Sequence, residues 1–464
     1  MVLPHSLGWL RNDRKTKGTR VNKAPTDAAP SPAHPENPED PHTPLDAKGN
    51  PLPANWLARV AVIWCGQAVS VFATCAASFA AIWFVTETTS SPVWLSLASA
   101  ASLLPVALLS PLGGVAADRL NRKKVMIIAD GTAGLFSLVL AICAVIGIVN
   151  VPLMLALLAV RASAQAFHGP ALTAAMPRLV PADQLVRINT LDQALTSLSA
   201  IAGPALGILL YNVVGFHGVM LLDAACAAVA CACLTIARIP TPERSDASRQ
   251  SVLADLREGA SFVLHDRGLR SLMLFVMATM LLLMPASSLA PLMTYQHFGG
   301  DGYQASLVEA VFGVGMLAGS AVAFAWGGKR RLAPVIIASG AATGLALAGC
   351  GLLQHDQFPL FAVLMGVAAA ALGCYNAPIL PIMQRRTPEE KTGRVMGIFL
   401  TGSSLAAPVG LSFSGFAAEA VGIANWFLIC GVLIVVACVA AAASKGIRLL
   451  DETGETSDEK GDAS

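Results

Sequence analysis

Twelve membrane-spanning helices in two six-helix halves are predicted for this chain of 464 residues, an all-α integral membrane fold. Three observations predict it. Twelve apolar stretches run from about Trp56 to about Lys445, each near the ~20 residues a bilayer-spanning helix needs. The second, fourth, sixth, eighth and tenth connections between them carry Lys and Arg, and the odd-numbered connections carry none. Excess Lys and Arg in short connections marks the cytoplasmic side. Both termini are therefore expected in the cytoplasm, on a multi-pass protein of the cell (inner or plasma) membrane. Third, three prolines recur in order in both halves: Pro170 with Pro378, Pro181 with Pro388, and Pro204 with Pro408, at offsets of 208, 207 and 204 residues.

The composition agrees. Hydrophobic residues make up 55% and charged residues 13%, about half the ~25% charge of soluble domains. The basic residues belong to connections and tails, so no nucleic-acid footprint is expected. All ten cysteines fall inside apolar stretches and none forms a CxxC pair. They read as small soft hydrophobes rather than metal ligands or disulfides.

Residues 1–55 read as a disordered cytoplasmic tail, rich in proline, with a basic cluster of Arg11, Arg14, Lys15, Lys17, Arg20 and Lys23. The apolar core of a signal peptide would lie earlier, so none is expected. The cluster suits either anionic lipid headgroups or a solvated tail that adds to the charge bias. The N-terminal half covers 56–238, with spans at 56–85, 93–117, 123–148, 152–177, 188–213 and 217–238. The C-terminal half covers 270–445, with spans at 270–294, 303–327, 332–353, 358–383, 393–418 and 424–445. Trp83, Trp94 and Trp426 fall near outer ends, and Trp56 and Trp326 near inner ends, as an aromatic belt requires. The linker 239–269 opens with Pro240, Thr241 and Pro242. Its Leu253, Leu256, Ala260 and Val263 keep helical spacing, which predicts an amphipathic helix on the membrane surface. Residues 446–464 form a second cytoplasmic tail. Six helices per half give both copies the same membrane orientation. Such a parallel repeat is a transporter architecture, with a substrate site between the halves near mid-membrane.

The second connection reads GGVAADRLNRKKV. Asp118 could cap a helix N-terminus while the basic residues pair with acids or helix C-termini. Topogenic charge alone is the plainer reading, but an Asp inside a basic turn is not needed for that. The stretch resembles the signature loop of the major facilitator superfamily through Gly114, Asp118, Arg119, Arg122 and Lys123. In that family it is a cytoplasmic latch that breaks and reforms as the halves rock. Asn121 stands where the family has glycine; Asn tolerates the left-handed conformation such a turn would need. The eighth connection, GGKRRLA, lacks the Asp. GPALG, with Gly203, Pro204 and Gly207, resembles the core of the antiporter motif, a hinge of exporters. Small-residue packing of membrane helices explains it equally well. The first two helices, GPALTAAMPRLVPADQL and TPEEKTGRVMG are similar to the drug:proton antiporter branch that includes macrolide-efflux proteins and enterobactin exporters. The resemblance covers nearly all of 56–445.

Polar residues inside the spans point to the working site. Arg161 is the one Lys or Arg deep in a span, about nine residues from the outer end of the fourth helix. Gln165 and Gly169 share its face and His168 lies beside them. The pattern resembles the family's fourth-helix motif, which implies proton or substrate handling. A mid-membrane Arg is functional by default, and a structural ion pair with a neighbouring acid is the alternative. Gln67, Ser70, Thr74 and Ser78 form a polar stripe on the first helix, and Thr401, Ser404, Pro408 and Ser412 one on the eleventh. Such stripes suit cavity walls, or hydroxyls bonded to their own helix. Met273, Met277, Met280 and Met284 share a face of the seventh helix, facing a cavity, the core or lipid. Proton coupling needs an intramembrane carboxylate. The candidates are Asp130, Asp192, Asp223 and Glu309, with Glu309 preferred, Asp223 next, and Asp130 and Asp192 expected to pair with connecting arginines. His168 is a further shuttle candidate.

Together these features predict a monomeric secondary transporter, not an enzyme. It would move a small molecule across the bilayer with protons as coupling ion. The resemblance implies export of amphipathic drugs or a secreted natural product. A siderophore or lipid-like metabolite transporter and a non-transporting sensor or scaffold are the alternatives. No GxxxxGK[ST], HExxH or GxSxG stretch occurs, and no cofactor or metal is expected.

Overall fold

The computed structural model describes residues 44–46, 49–53, 55–237, 252–326 and 332–451. The basic cluster of the tail, Pro240 to Pro242, the Lys329–Arg331 run and residues 452–464 lie outside the described residues.

Every crossing is helical because a bilayer offers backbone groups no water, so each must bond within its own segment. α1 (Trp56–Thr89) ends on Ser90 in the left-handed conformation, φ 49°. α2 (Pro92–Arg119) starts on Pro92, whose missing N–H is an orphan there anyway. α3 (Arg122–Val145) and α4 (Val151–Ala175) are capped by the side chains of Asn121 and Asn150, which accept from Lys124 N at 3.2 Å and Leu153 N at 2.9 Å. α5 (Leu185–Ile236) is a double element. Gly215, at φ 70° and ψ 173°, is non-helical and divides it into arms 185–214 and 216–236. Only glycine takes that conformation without strain.

Beyond the linker helix α6 (Val252–His265), the second half begins with α7 (Arg267–Ser288), capped by Asp266. The short α8 (Ala290–Leu292) and a π-helical turn, Met293–His297, follow. Then come α9 (Gly302–Trp326), α10 (Leu332–Gly351) and α11 (Phe358–Asn376). A break at Ala377 and Pro378 leads into α12 (Ile379–Arg386). α13 (Glu389–Val421), α14 (Ile423–Ala443) and the short α15 (Lys445–Arg448) complete the chain. Among the described residues, 11 helices are long and apolar enough to cross a membrane. The one spanning Ala182–Ile236 crosses twice by way of Gly215, which gives the twelve crossings read from the sequence.

Large apolar side chains cover the outside of the bundle, including Leu345, Val439 and Val145, as hydrocarbon surroundings permit. Small residues bring helices together inside. A Cβ on Gly207 would lie 2.5 Å from Ala76 O, so α5 rides directly on α1. Part of the expected tail is ordered against the bundle. Leu45 bridges Pro51, Asp46 bridges Pro181 before α5, and Leu52 is buried.

Candidate functional site

The buried polar residues of the first half form two layers. In one, Arg161 on α4 pairs with Asp223 on the second arm of α5, Nη2 to Oδ2 at 2.8 Å. Ser137 on α3 donates to the same oxygen at 2.6 Å, and Thr74 on α1 donates to Oδ1 at 3.1 Å. In the other, Gln67 on α1 donates to Asp130 Oδ2 at 3.2 Å. His168 Nε2 on α4 lies 3.4 Å from Asp130 Oδ1, at ion-pair distance but without hydrogen-bond alignment. The layers are related by one interval. Gln67 and Thr74, Asp130 and Ser137, and Arg161 and His168 are each seven residues apart. Seven residues are two helical turns, or about 10.5 Å. Each layer therefore holds one acid and one basic side chain, the Asp130 layer nearer the basic connections.

Several expectations change. Asp130 does not pair with a connecting arginine; it is buried against His168 and Gln67, because α3 turns that face inward onto α1 and α4. Asp192 is half-buried in the first arm of α5 and lies in the field of His168, not of an arginine. Ser137 was not singled out from the sequence, although its seven-residue interval from Asp130 is visible there. Gln165 is half-buried and Gly169 exposed on α4. Glu309 is half-buried on α9 and makes no hydrogen bond or ion pair among the described residues. It shares a helical face with Gly302 and Gly313, whose positions press on Ile208 and Ile201 of α5.

At the end away from the basic connections, the two halves meet closely. Trp83 of α1 meets Tyr295 of the π-helical turn edge to face, centroids 5.7 Å apart. Gln296 of that turn donates to Ser90 O. Ser96 of α2 and Ser414 of α13 share a hydrogen bond of 3.1 Å. One apolar core runs through both halves here, from Leu95 and Leu140 to Phe361 and Phe427. At the basic end the first half has a core of its own, around Ile63, Met126, Val180 and Leu234. There the first arm of α5 and the last turns of α9 are exposed along most of their length. The halves thus join at one end and part at the other.

The signature connection is built from helix ends. Lys123 Nζ donates to Thr235 O at 2.7 Å and Ala237 O at 2.8 Å, the free carbonyls that end α5. Arg122 Nε donates to Ala117 O at 3.0 Å, and lies in the field of Asp118 and Arg178. The α3 cap is Asn121, not Asp118. Asn121 is extended, φ −65° and ψ 108°, so no left-handed turn is needed where the family has glycine. Asp118 and Arg119 are exposed, without a hydrogen bond or ion pair among the described residues. Gly114 faces open space; the close crossing belongs to Gly113, which lies against Ala166 of α4. In GPALG, Gly203 and Gly207 receive Cys75 and Ala76 of α1, while α5 keeps helical dihedrals through Pro204.

Known proteins place this architecture. The family model for transmembrane secretion effectors matches residues 53–460. Macrolide efflux protein A of Streptococcus pyogenes is 34% identical over 400 residues, covering 86% of this chain and 98% of that protein. The multidrug efflux pump Tap of Mycolicibacterium fortuitum is 28% identical over 386 residues, covering 80% of this chain and 91% of the pump. Among solved structures, the nucleoside transporter NupG superposes with a TM-score of 0.64 at 14% identity, over 82% of this chain and 99% of that one. A D-xylose-proton symporter gives 0.61 at 14% identity, over 83% and 97%. These last two share the fold alone. A family model matched over almost the whole membrane region, on a frame of twelve crossings in two halves, makes this chain a multi-pass membrane transporter that belongs to the transmembrane secretion effectors of the major facilitator superfamily.

Proposed function

We propose that the chain exports amphipathic drugs or a secreted natural product, driven by inward proton movement. It works as a monomer in the cell membrane, with both termini and the basic connections in the cytoplasm. The halves 56–238 and 270–445 rock about a site between them. The observation that carries this reading is the contrast between the two ends: a continuous core with cross-half contacts at one, separate cores at the other. That is one of the two end states alternating access requires. The relatives named for macrolide and multidrug efflux support export and the substrate class.

The two acid layers have different roles. Asp223 receives Arg161, Ser137 and Thr74, so it holds four helices in register. Asp130 accepts from the Gln67 amide and lies beside the His168 imidazole, with no arginine paired to it among the described residues. The Asp130–His168 pair is the proton site of the first half. Glu309, without a hydrogen bond or ion pair among the described residues, lies at the α5–α9 contact and is the acid through which the second half shares in proton transfer. The exposed Asp118 and Arg119 belong to a latch that engages when the basic end closes.

Liposomes holding the purified protein and a pH-sensitive dye test the reading. Macrolides, cationic dyes and siderophores are added in turn. Substrate-driven proton movement is expected for a bulky lipophile, and its loss in Asp130→Asn and Glu309→Gln. Substrate movement without proton movement would refute the coupling. No movement of any compound through folded protein would refute export.

A further inference from the structure

The four-methionine face of α7 is shared between two uses. Met273 and Met277 pack beside Gly402 of α13, where a Cβ would meet them at 3.2 and 3.4 Å. Met280 and Met284 instead line an open cavity of about 590 Å³ walled by the second half. Three further methionines reach it from three other helices: Met316 of α9, Met383 of α12 and Met396 of α13. The cavity thus draws five of the chain's 14 methionines. No charged residue lines it, and most of the remaining wall is Phe, Leu, Ile and Val. Its size is that of a small-molecule site. Thioether side chains are flexible and polarisable, so they remodel around ligands of different outline.

Two polar groups break the apolar wall. Ser403 of α13 has a buried hydroxyl with no hydrogen-bond partner among the described residues. A buried hydroxyl without a partner is costly, and a ligand oxygen would satisfy it. Asn376, at the end of α11, is exposed at the cavity. At the 208-residue offset of Pro170 and Pro378, Asn376 occupies the position that His168 has in the first half. Matching places in the repeat therefore carry opposite chemistry. In the first half the buried acids Asp223 and Asp130 engage Arg161 and His168, which leaves no buried carboxylate of the described spans there free for a ligand. In the second half the wall is uncharged, adaptable and holds an unmet hydroxyl.

We propose that the methionine-lined cavity of the second half is the substrate subsite, taking the uncharged face of a bulky lipophile with a hydrogen-bonding oxygen directed at Ser403. The first half is left to ion coupling. This rests on the transporter reading given above, and it moves recognition away from a shared central surface onto one half.

The test uses the full chain in detergent, labelled with ¹³C at the methionine methyl groups, and Nile red, a neutral polycycle with a carbonyl oxygen, as probe. Single Met→Leu variants, close in volume, assign the resonances. Nile red should bind saturably and move the methyl signals of Met280, Met284, Met316, Met383 and Met396. Buried Met126, Met154 and Met220 of the first half should stay still. Ser403→Ala should weaken Nile red binding by roughly 2- to 10-fold, the worth of one neutral hydrogen bond. Absence of saturable binding, shifts confined to methionines outside the cavity, or unchanged affinity in Ser403→Ala would each overturn the subsite. Proton-coupled transport, measured after the same purified protein is reconstituted into liposomes, separates the two failures. Persistent transport with a silent cavity rejects the subsite alone, and loss of both rejects the transporter reading as well.

Discussion

Asp223→Asn should unfold the first half more easily than any other single change in it. The side chains of Arg161 and Asp223 are 6% and 4% exposed, so solvent screens their 2.8 Å pair very little. The asparagine leaves Arg161 charged, buried and without its acid. Breaking a buried pair from one side costs about 3–5 kcal/mol. Two hydroxyl donors also lose their ionised acceptor, which places the cost in the upper part of that range. Ser137 recovers part of this, because its hydroxyl also reaches Ala133 O at 3.1 Å. Replacing both partners by apolar residues, Arg161→Met with Asp223→Leu, should cost far less, since no charge is stranded. Unfolding in mixed detergent–SDS micelles, followed by tryptophan fluorescence, measures all three proteins. An Asp223→Asn variant as stable as the parent, or a double variant as weak as the single, would refute this reasoning.

Other expectations follow from the same geometry. Gly207→Val should destabilise by about 1–3 kcal/mol through overpacking against Ala76, whereas Gly114→Ala, in open space, should leave the thermal midpoint unchanged. Lys123→Ala should release the end of α5, seen as faster amide exchange near residues 234–237 while the rest of α5 keeps its protection. Gln296→Ala combined with Trp83→Leu removes two cross-half contacts. Spin labels on α2 and α13 at that end should then report a broader, longer distance distribution.

Much of the fold is written in the sequence as charge and punctuation. Arg and Lys in alternate connections mark every second turn, and the GFHG stretch places Gly215 where α5 breaks. The contents of the site are less legible, because they depend on which helix faces which. Arg161 announces itself as a buried charge, but its partner lies 62 positions away on another helix. Distance from a membrane face suggested that Asp130 would meet an arginine. Helix rotation decides otherwise and gives it to His168. The seven-residue interval joining Gln67 to Thr74, Asp130 to Ser137 and Arg161 to His168 exists in the sequence, yet it acquires meaning only once the polar side chains of α1, α3 and α4 are known to converge with Asp223 of α5. Asn121 shows a different limit. Its side chain could serve either a left-handed turn or a helix cap, and only the backbone distinguishes them. The α7 methionines divide because helix packing, not spacing, decides which of them reach a cavity.

Rocking of the two halves is tested most directly by locking the end at which they meet. Ser96→Cys with Ser414→Cys, made in a background without the ten native cysteines, puts two thiols where hydroxyls now lie 3.1 Å apart. Oxidation should form the disulfide in high yield and stop transport, and a reductant should restore it. Transport that continues at full rate in fully cross-linked protein would contradict alternating access through this end.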